Sequence, residues 1–228
     1  MTLQTITKSG VYAFPLLAGV DDAGRGPVIG PLVIAGVTID SSKLGSLIAI
    51  GVKDSKLLSP ARREYLASKI IELVAEVAYV ITDPRDIDDV VMHGKKLYKL
   101  NYLEAKIMAE IVTKLKPETA YVDASDVLED RFGEMIQEMV PFNVKIISEH
   151  YADKRYPIVS AASILAKVKR DALVRELQIK YGDFGSGYPS DPKTRKFLVD
   201  WLKSHESYPD FVRKSWKTLK NLGNETLF

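Results

Sequence analysis

Cysteine is absent from the 228-residue chain. Disulfides, thiolate metal sites and cysteine nucleophiles are therefore excluded, and the composition suits a reducing cytoplasm. Histidine is scarce, with three copies. Charge of one sign is lacking too: 32 Lys and Arg against 30 Asp and Glu leave a net charge of +2. Any attraction to a polyanion must then be local rather than global. Long hydrophobic runs are missing as well. The apolar stretch Val11–Val20 follows Lys8 as a secretory leader would, but Pro15 interrupts it. It runs straight into Asp21 and Asp22 with no small-residue cleavage site. No segment approaches the ~20 apolar residues of a membrane span. The expected protein is cytoplasmic and has no membrane association. No internal repeat or low-complexity tract stands out.

What is present is an ordinary globular composition, 46% hydrophobic and 27% charged, sufficient for a proper core. Leu16–Val20 reads as a buried strand ending in two carboxylates, and Leu32–Ile39, apolar and β-branched, as the next strand. A third strand is expected near Ile48–Val52, closing a meander. Pro60 after Ser59 marks a helix start, with helix over Ala61–Leu73. A strand follows within Val74–Thr82. Lys95–Lys114 reads as a long helix, with Leu100, Leu103, Ile107 and Ile111 on one face. Then come a short strand Thr119–Val122 ending in Asp123, a helix Val127–Val140, a strand Val144–Ile147 and a long helix Val159–Tyr181. Residues 182–192, rich in Gly, Pro, Ser and Asp, read as a loop before a C-terminal helical part. Strands first as a meander, then alternating with helices, indicate an α/β fold with a mixed sheet covered by helices.

Carboxylates recur where chemistry can use them. Asp21 and Asp22 end one strand, Asp123 ends another, and Asp153 precedes the helix start at Pro157. Ligands of open α/β sheets gather at the carboxyl ends of strands. If the two strands are parallel neighbours, Asp21 and Asp123 stand side by side. Taken singly, Asp22 reads equally well as a turn former, Asp123 as a helix N-cap and Asp153 as a surface residue. Only their joint placement suggests a site. Oxygen donors without thiolates favour magnesium or manganese over zinc. Two such ions about 3.5–4 Å apart can hold the attacking and leaving oxygens of a phosphodiester. Gly24, Gly26 and Gly30 do not make a dinucleotide fingerprint, because strand rather than helix follows them. A Walker-type Gly-Lys-Ser/Thr is absent. The glycines leave either a plain tight turn or backbone that a ligand can approach closely.

The run Gly19-Val20-Asp21-Asp22-Ala23-Gly24-Arg25-Gly26-Pro27-Val28-Ile29-Gly30-Pro31 resembles the opening signature of type 2 ribonuclease H (ribonuclease HII). Asp54-Ser55-Lys56 with Leu58-Ser59, then Leu100-Asn101, Val122-Asp123-Ala124 and Glu149-His150 with Ala152-Asp153, resemble later blocks of that family. Tyr156-Pro157 with Ser160–Val168, Gly187-Tyr188-Pro189 and Val212-Arg213-Lys214-Ser215-Trp216 complete the series. The blocks keep family order from about Gly19 to Thr218, nearly the whole chain.

The resemblance implies a ribonuclease H-like sheet over residues 1–182 and a C-terminal helical substrate-binding part over residues 183–228. It implies endonucleolytic hydrolysis of the RNA strand of RNA–DNA hybrids, including cutting 5′ to a single ribonucleotide embedded in duplex DNA, with 5′-phosphate and 3′-hydroxyl products. Carried over, the catalytic and metal-holding set is Asp21, Asp22, Asp123 and Asp153, with Mg²⁺ or Mn²⁺ as cofactor. By the same resemblance Asp21 would bridge two ions, Asp22 and Asp123 would hold one, and Asp153 would hold the other. Gly24, Arg25 and Gly26 would contact the ribose 2′-OH, which separates RNA from DNA. Tyr188 would stack on the sugar at the RNA–DNA junction, and Lys56 and Lys167 are candidate phosphate contacts. Taken without the resemblance, Tyr188 is a loop aromatic, Arg25 one half of a surface ion pair, and the two lysines solvated.

Residues 193–220 carry eight Lys or Arg against three Asp or Glu, with Trp201, Phe211 and Trp216 among them. This local bias fits a duplex backbone, with the aromatics expected in the core. The plainer reading is a solvated helical face. A monomer is expected. The end Glu225-Thr226-Leu227-Phe228 stands where some relatives carry a sliding-clamp-binding tail, but the glutamine that usually opens that motif is missing. The competing readings are a related nuclease of the same fold acting on DNA or structured RNA, and a binding protein that has lost catalysis.

One position departs from the family pattern: Asp22 stands where glutamate is usual. Its reach is shorter by one C–C bond, about 1.5 Å, and magnesium tolerates little distortion of its octahedral shell. Asp22→Glu is therefore expected to change the ratio of magnesium- to manganese-supported activity. Metal titrations of both proteins check this, and superimposable profiles would refute it.

Overall fold

The computed structural model describes residues 1–8, 14–52, 58–94 and 98–219. Six strands form one mixed sheet: β1 (Thr2–Thr7), β2 (Leu16–Ala23), β3 (Leu32–Asp40), β4 (Glu76–Thr82), β5 (Thr119–Asp123) and β6 (Lys145–Glu149). Their order is β1-β4-β3-β2-β5-β6. β1, β4, β3 and β2 pair antiparallel, while β2, β5 and β6 run parallel. The helices are α1 (Leu44–Ala49), α2 (Pro60–Leu73), α3 (Pro84–His93), α4 (Lys99–Leu115), α5 (Glu129–Met139), α6 (Ala152–Arg155), α7 (Pro157–Tyr181) and α8 (Pro192–Ser204). This is the expected mixed sheet flanked by helices.

β3 shows why the sheet lies in the middle. All nine of its residues are buried, as a strand covered on both faces requires. Leu32 and Ile34 join the layer formed with α4 and α5. Val33, Ala35, Val37 and Ile39 alternate to the opposite layer, with α2 and α7. A third apolar cluster joins Val28 and Ile29, in the turn after β2, to Val174 of α7 and to Phe184, Leu198, Phe211 and Val212 of the C-terminal part. Phe211 is buried as expected, whereas Trp201 and Trp216 are only half-buried.

The strand expected near Ile48–Val52 is not formed. Asp40 accepts a hydrogen bond from the Ser42 N–H at 2.9 Å and turns the chain into a 3₁₀ turn and then α1. Only Leu47 of α1 is buried, and Ile48 is 61% exposed. A short apolar run does not by itself separate strand from helix. The meander is closed instead by β4. The edge strand β1 and helix α3 were not anticipated either. Asp21 and Asp22 lie within β2 rather than beyond it, and Asp153 lies inside α6.

Two glycines set how closely the layers approach. A Cβ on Gly19 would stand 2.3 Å from the carbonyl oxygen of Ile158, at the start of α7. A Cβ on Gly36 would meet Ile111 Cγ2 of α4 at 2.3 Å. At Gly19 the obstacle is backbone, so relief requires moving the helix. Gly19→Ala is expected to destabilise the fold by about 2 kcal/mol, within the range for overpacking. Gly45→Ala, in α1 with nothing within 4 Å of the new methyl, is expected to stabilise it by about 0.5–1 kcal/mol. Denaturant midpoints of the two variants give the opposite signs directly.

Candidate active site

The parallel pairing of β2 with β5 places Val20 opposite Val122. Asp21 and Asp123, one residue further on each strand, therefore emerge side by side at the same sheet end. Along β2, Gly19 and Asp21 face α7, while Asp22 turns to the other side. Because Gly19 admits α7 closely, Ser163 of that helix hydrogen-bonds the Asp21 carboxylate. The Asp22 N–H donates to Asp21 Oδ1 at 2.7 Å. Asp123 does not cap α5, which starts six residues later at Glu129. Its Oδ1 accepts instead from the Ala152 N–H at 2.7 Å, tying β5 to α6. Asp153 is buried in α6, where the Ser160 hydroxyl donates to its backbone carbonyl.

All four aspartates line one cleft of about 250 Å³, together with Gly24, Arg25, Gly26, Lys167 and Tyr188. The structure thus brings together every residue singled out from the sequence except Lys56, which lies outside the described residues. Two further lining residues, Arg63 and Ser163, were not singled out for roles. Ser163 sits within a recognised block, but Arg63 carries no signal beyond being one more basic residue on α2. Lys167 donates to Asp171 at 2.7 Å. The Tyr188 ring, 38% exposed, stands 3.4 Å from where a Gly26 Cβ would be, with the Arg170 guanidinium 5.5 Å from its centroid. Arg25 is no simple surface ion pair. Its guanidinium binds Glu104, which is fully buried on α4, and Asn101 Oδ1 at 2.7 Å. A glutamate spaced with Leu100, Ile107 and Ile111 on the apolar face of α4 was the available signal for Glu104, and it was missed.

Burial and mutual repulsion dominate the electrostatics. Loss of water raises the pKa of Asp21 well above the usual carboxylate range, and the charges of Asp22 and Asp123 add to this. Asp123 is pushed up to about 6, first by burial and then by Asp153, against the opposing hydrogen bond from Ala152. Such a cluster favours cations that take oxygen donors. Among the described residues, no three acidic or histidine side chains stand in a finished metal cage. Open carboxylate sets of this kind suit magnesium-like ions, which complete their shells with water and substrate oxygens.

The ribonuclease HII family model matches residues 18–219. The ribonuclease HII of Thermococcus sibiricus is 52% identical over 208 residues, spanning 90% of each chain. The chain belongs to the ribonuclease HII family. Among solved structures, ribonuclease H2 from Pyrococcus horikoshii matches with a TM-score of 0.85 and 42% identity, covering 92% of this chain and 98% of that one. The ribonuclease HII of Archaeoglobus fulgidus, solved in complex with PCNA, matches with a TM-score of 0.81 and 44% identity over 90% and 96% of the two chains. The protein is accordingly a ribonuclease, a hydrolase of phosphodiester bonds, with a ribonuclease H-like fold. No helix among its described residues is long and apolar enough to cross a membrane.

The raised pKa of Asp123 has a consequence for stability. With divalent ions removed, the folded protein keeps a proton on Asp123 that the unfolded chain releases near its ordinary value of 3.8. Folded-state proton binding then exceeds that of the unfolded chain between about pH 4 and pH 6, so the contribution of Asp123 to stability falls as pH rises through that window. In chelator, the melting temperature of Asp123→Asn minus that of wild type is expected to grow from pH 4 to pH 7. A flat difference would show that Asp123 is not shifted upward.

Proposed function

We propose that the protein hydrolyses the RNA strand of RNA–DNA hybrids and cuts 5′ to single ribonucleotides embedded in duplex DNA. The observation that carries this is one cleft shared by four carboxylates and by the Gly24-Arg25-Gly26 turn with Tyr188. The first set has the chemistry for phosphodiester hydrolysis, and the second offers close backbone approach and an aromatic face for a sugar. Their adjacency also speaks against a nuclease indifferent to ribose and against a protein that only binds.

In this reading Asp21, Asp22, Asp123 and Asp153 hold two divalent ions, Mg²⁺ or Mn²⁺. When bound, such ions lower the pKa of water for attack on phosphorus and neutralise charge on the departing oxygen. The chain's own contribution is preorganisation. Asp21 is oriented by the Asp22 N–H and Ser163, and Asp123 by the Ala152 N–H. Water oxygen bonds to phosphorus, the P–O3′ bond breaks, and the 3′ oxygen leaves as a hydroxyl while the phosphate stays on the 5′ side of the ribonucleotide. The Gly24–Gly26 turn contacts the 2′-OH, Tyr188 stacks on the sugar, and Lys167 and Arg63 lie at the cleft for phosphate. A partner of the PCNA kind is supported by the Archaeoglobus fulgidus relative. The Glu225–Phe228 end considered for that role lies outside the described residues.

Cleavage of a DNA duplex carrying one ribonucleotide, with magnesium or manganese, tests the reading beside an all-DNA duplex and Asp21→Asn. A metal-dependent cut 5′ to the ribonucleotide is expected, with the all-DNA duplex intact. Asp21→Asn is expected to lower the rate about 10³-fold, on the scale of losing a preorganised electrostatic group. Hybrid binding without cleavage in either metal would leave a binding protein.

A further inference from the structure

Arg213 is fully buried, 183 to 189 residues distant in sequence from the carbonyl groups it serves. Its Nε donates to the Gly30 carbonyl at 3.0 Å, Nη1 to the Arg25 carbonyl at 2.9 Å and Nη2 to the Gly24 carbonyl at 2.5 Å. Its backbone N–H donates to the Val28 carbonyl at 2.8 Å. Trp216 Nε1 donates to the Gly26 carbonyl at 3.2 Å, and the Trp216 ring lies 4.9 Å from the guanidinium. Each carbonyl of Gly24, Arg25 and Gly26 is thus held from one C-terminal segment. That segment is itself anchored by buried Asp88, which accepts from the Lys214 and Ser215 N–H groups at 2.7 and 2.8 Å.

Burying a cation is costly without a partner, and among the described residues no carboxylate forms an ion pair with Arg213. Its hydrogen bonds go to neutral carbonyls instead. Burial and the neighbouring Arg170 charge, against the opposing charges of Asp22 and Asp88, push its pKa down to about 9, which still leaves it charged at neutral pH. An apolar side chain would pack a third core cluster at less expense. Only a planar fork of donors spans three carbonyls at once, and lysine cannot do so. The turn being held requires a backbone conformation that few residues adopt. Gly24 takes φ +97° and accepts no Cβ, which would stand 2.6 Å from the Pro31 carbonyl oxygen and 2.8 Å from the Arg170 side chain.

We propose that Arg213, with Trp216, is a specificity-determining positioning element: it fixes the peptide planes of the Gly24–Gly26 turn in the orientation that discriminates ribose from deoxyribose. This rests on the reading of that turn as the ribose contact. Arg213 itself is buried behind the turn, so it acts through it.

The test compares wild type with Arg213→Lys, which keeps the charge and loses the fork, and Trp216→Phe, which keeps a ring and loses the bond to Gly26. Dissociation constants are measured in chelator for a duplex with one ribonucleotide and for the all-DNA duplex. Amide hydrogen exchange is followed at residues 24–26, with β3 as internal reference. Arg213→Lys is expected to lower the ribose preference at least about tenfold and to speed exchange in the turn but not in β3. Trp216→Phe is expected to act in the same direction with a smaller effect. A folded Arg213→Lys that keeps the wild-type preference and turn exchange overturns the inference alone. If Arg213→Lys does not fold, an unchanged preference in Trp216→Phe overturns it. A wild type that binds both duplexes equally overturns the ribose-contact reading and this inference with it.

Discussion

The contact on which most of the site depends is between two pieces of backbone. Gly19 on β2 lies against the Ile158 carbonyl at the start of α7, at a separation that leaves no room for a Cβ. Two residues further along the same face of β2 is Asp21, and one turn and a half further along α7 is Ser163, which hydrogen-bonds it. The α6–α7 junction is carried in by the same approach, bringing Asp153 towards the end of β5. Parallel pairing of β2 with β5 supplies the other dimension, putting Asp123 beside Asp21. A missing side chain in the core thus determines where the carboxylates meet in the cleft.

The meeting itself opposes folding. Asp21 and Asp153 are buried, and Asp123 is partly so. Their neighbours include one another, which is why burial and repulsion act in the same direction on Asp21 and Asp123. Backbone N–H groups of Asp22 and Ala152 offset part of this by donating to the charged forms. The remaining deficit is the kind that bound cations relieve, so the protein without its ions is expected to sit below its attainable stability. Sites that must carry charge commonly trade stability for function in this way.

Much of this was legible in the sequence because it is local. Apolar runs ending in carboxylates located β2 and β5, and a proline after a serine located α2. The glycine spacing after Asp22 excluded a dinucleotide loop because β3 follows it. The parts that were not legible depend on partners far along the chain. Ile48–Val52 is apolar enough for a strand, but its burial is decided by which neighbours reach it, and α1 buries only Leu47. Taken alone, Asp123 before a helical stretch looks like an N-cap. Its actual partner, the Ala152 N–H, lies 29 residues on. Glu104 falls on the core-facing side of a long helix, but its partner Arg25, 79 residues earlier, is not legible from that helix.

Arg25 and the turn around it show how a site can be supported from two independent directions. The side chain of Arg25 is held by Glu104 and Asn101 on α4. Its backbone, with that of Gly24 and Gly26, is held by the 213–216 segment. The hydrogen bonds that orient Asp21 and Asp123 come instead from α6, α7 and β2 itself. The carboxylates and the turn therefore draw on largely different supports and converge on one cleft. A perturbation behind the turn then reaches the turn backbone before it reaches the carboxylates. Displacing α7 from Gly19 disturbs the carboxylates first. α7 also reaches the turn, through Arg170 and Val174, which it packs against Gly24 and Gly30. The order of these effects follows from which backbone each functional group leans on, rather than from distance to the scissile bond.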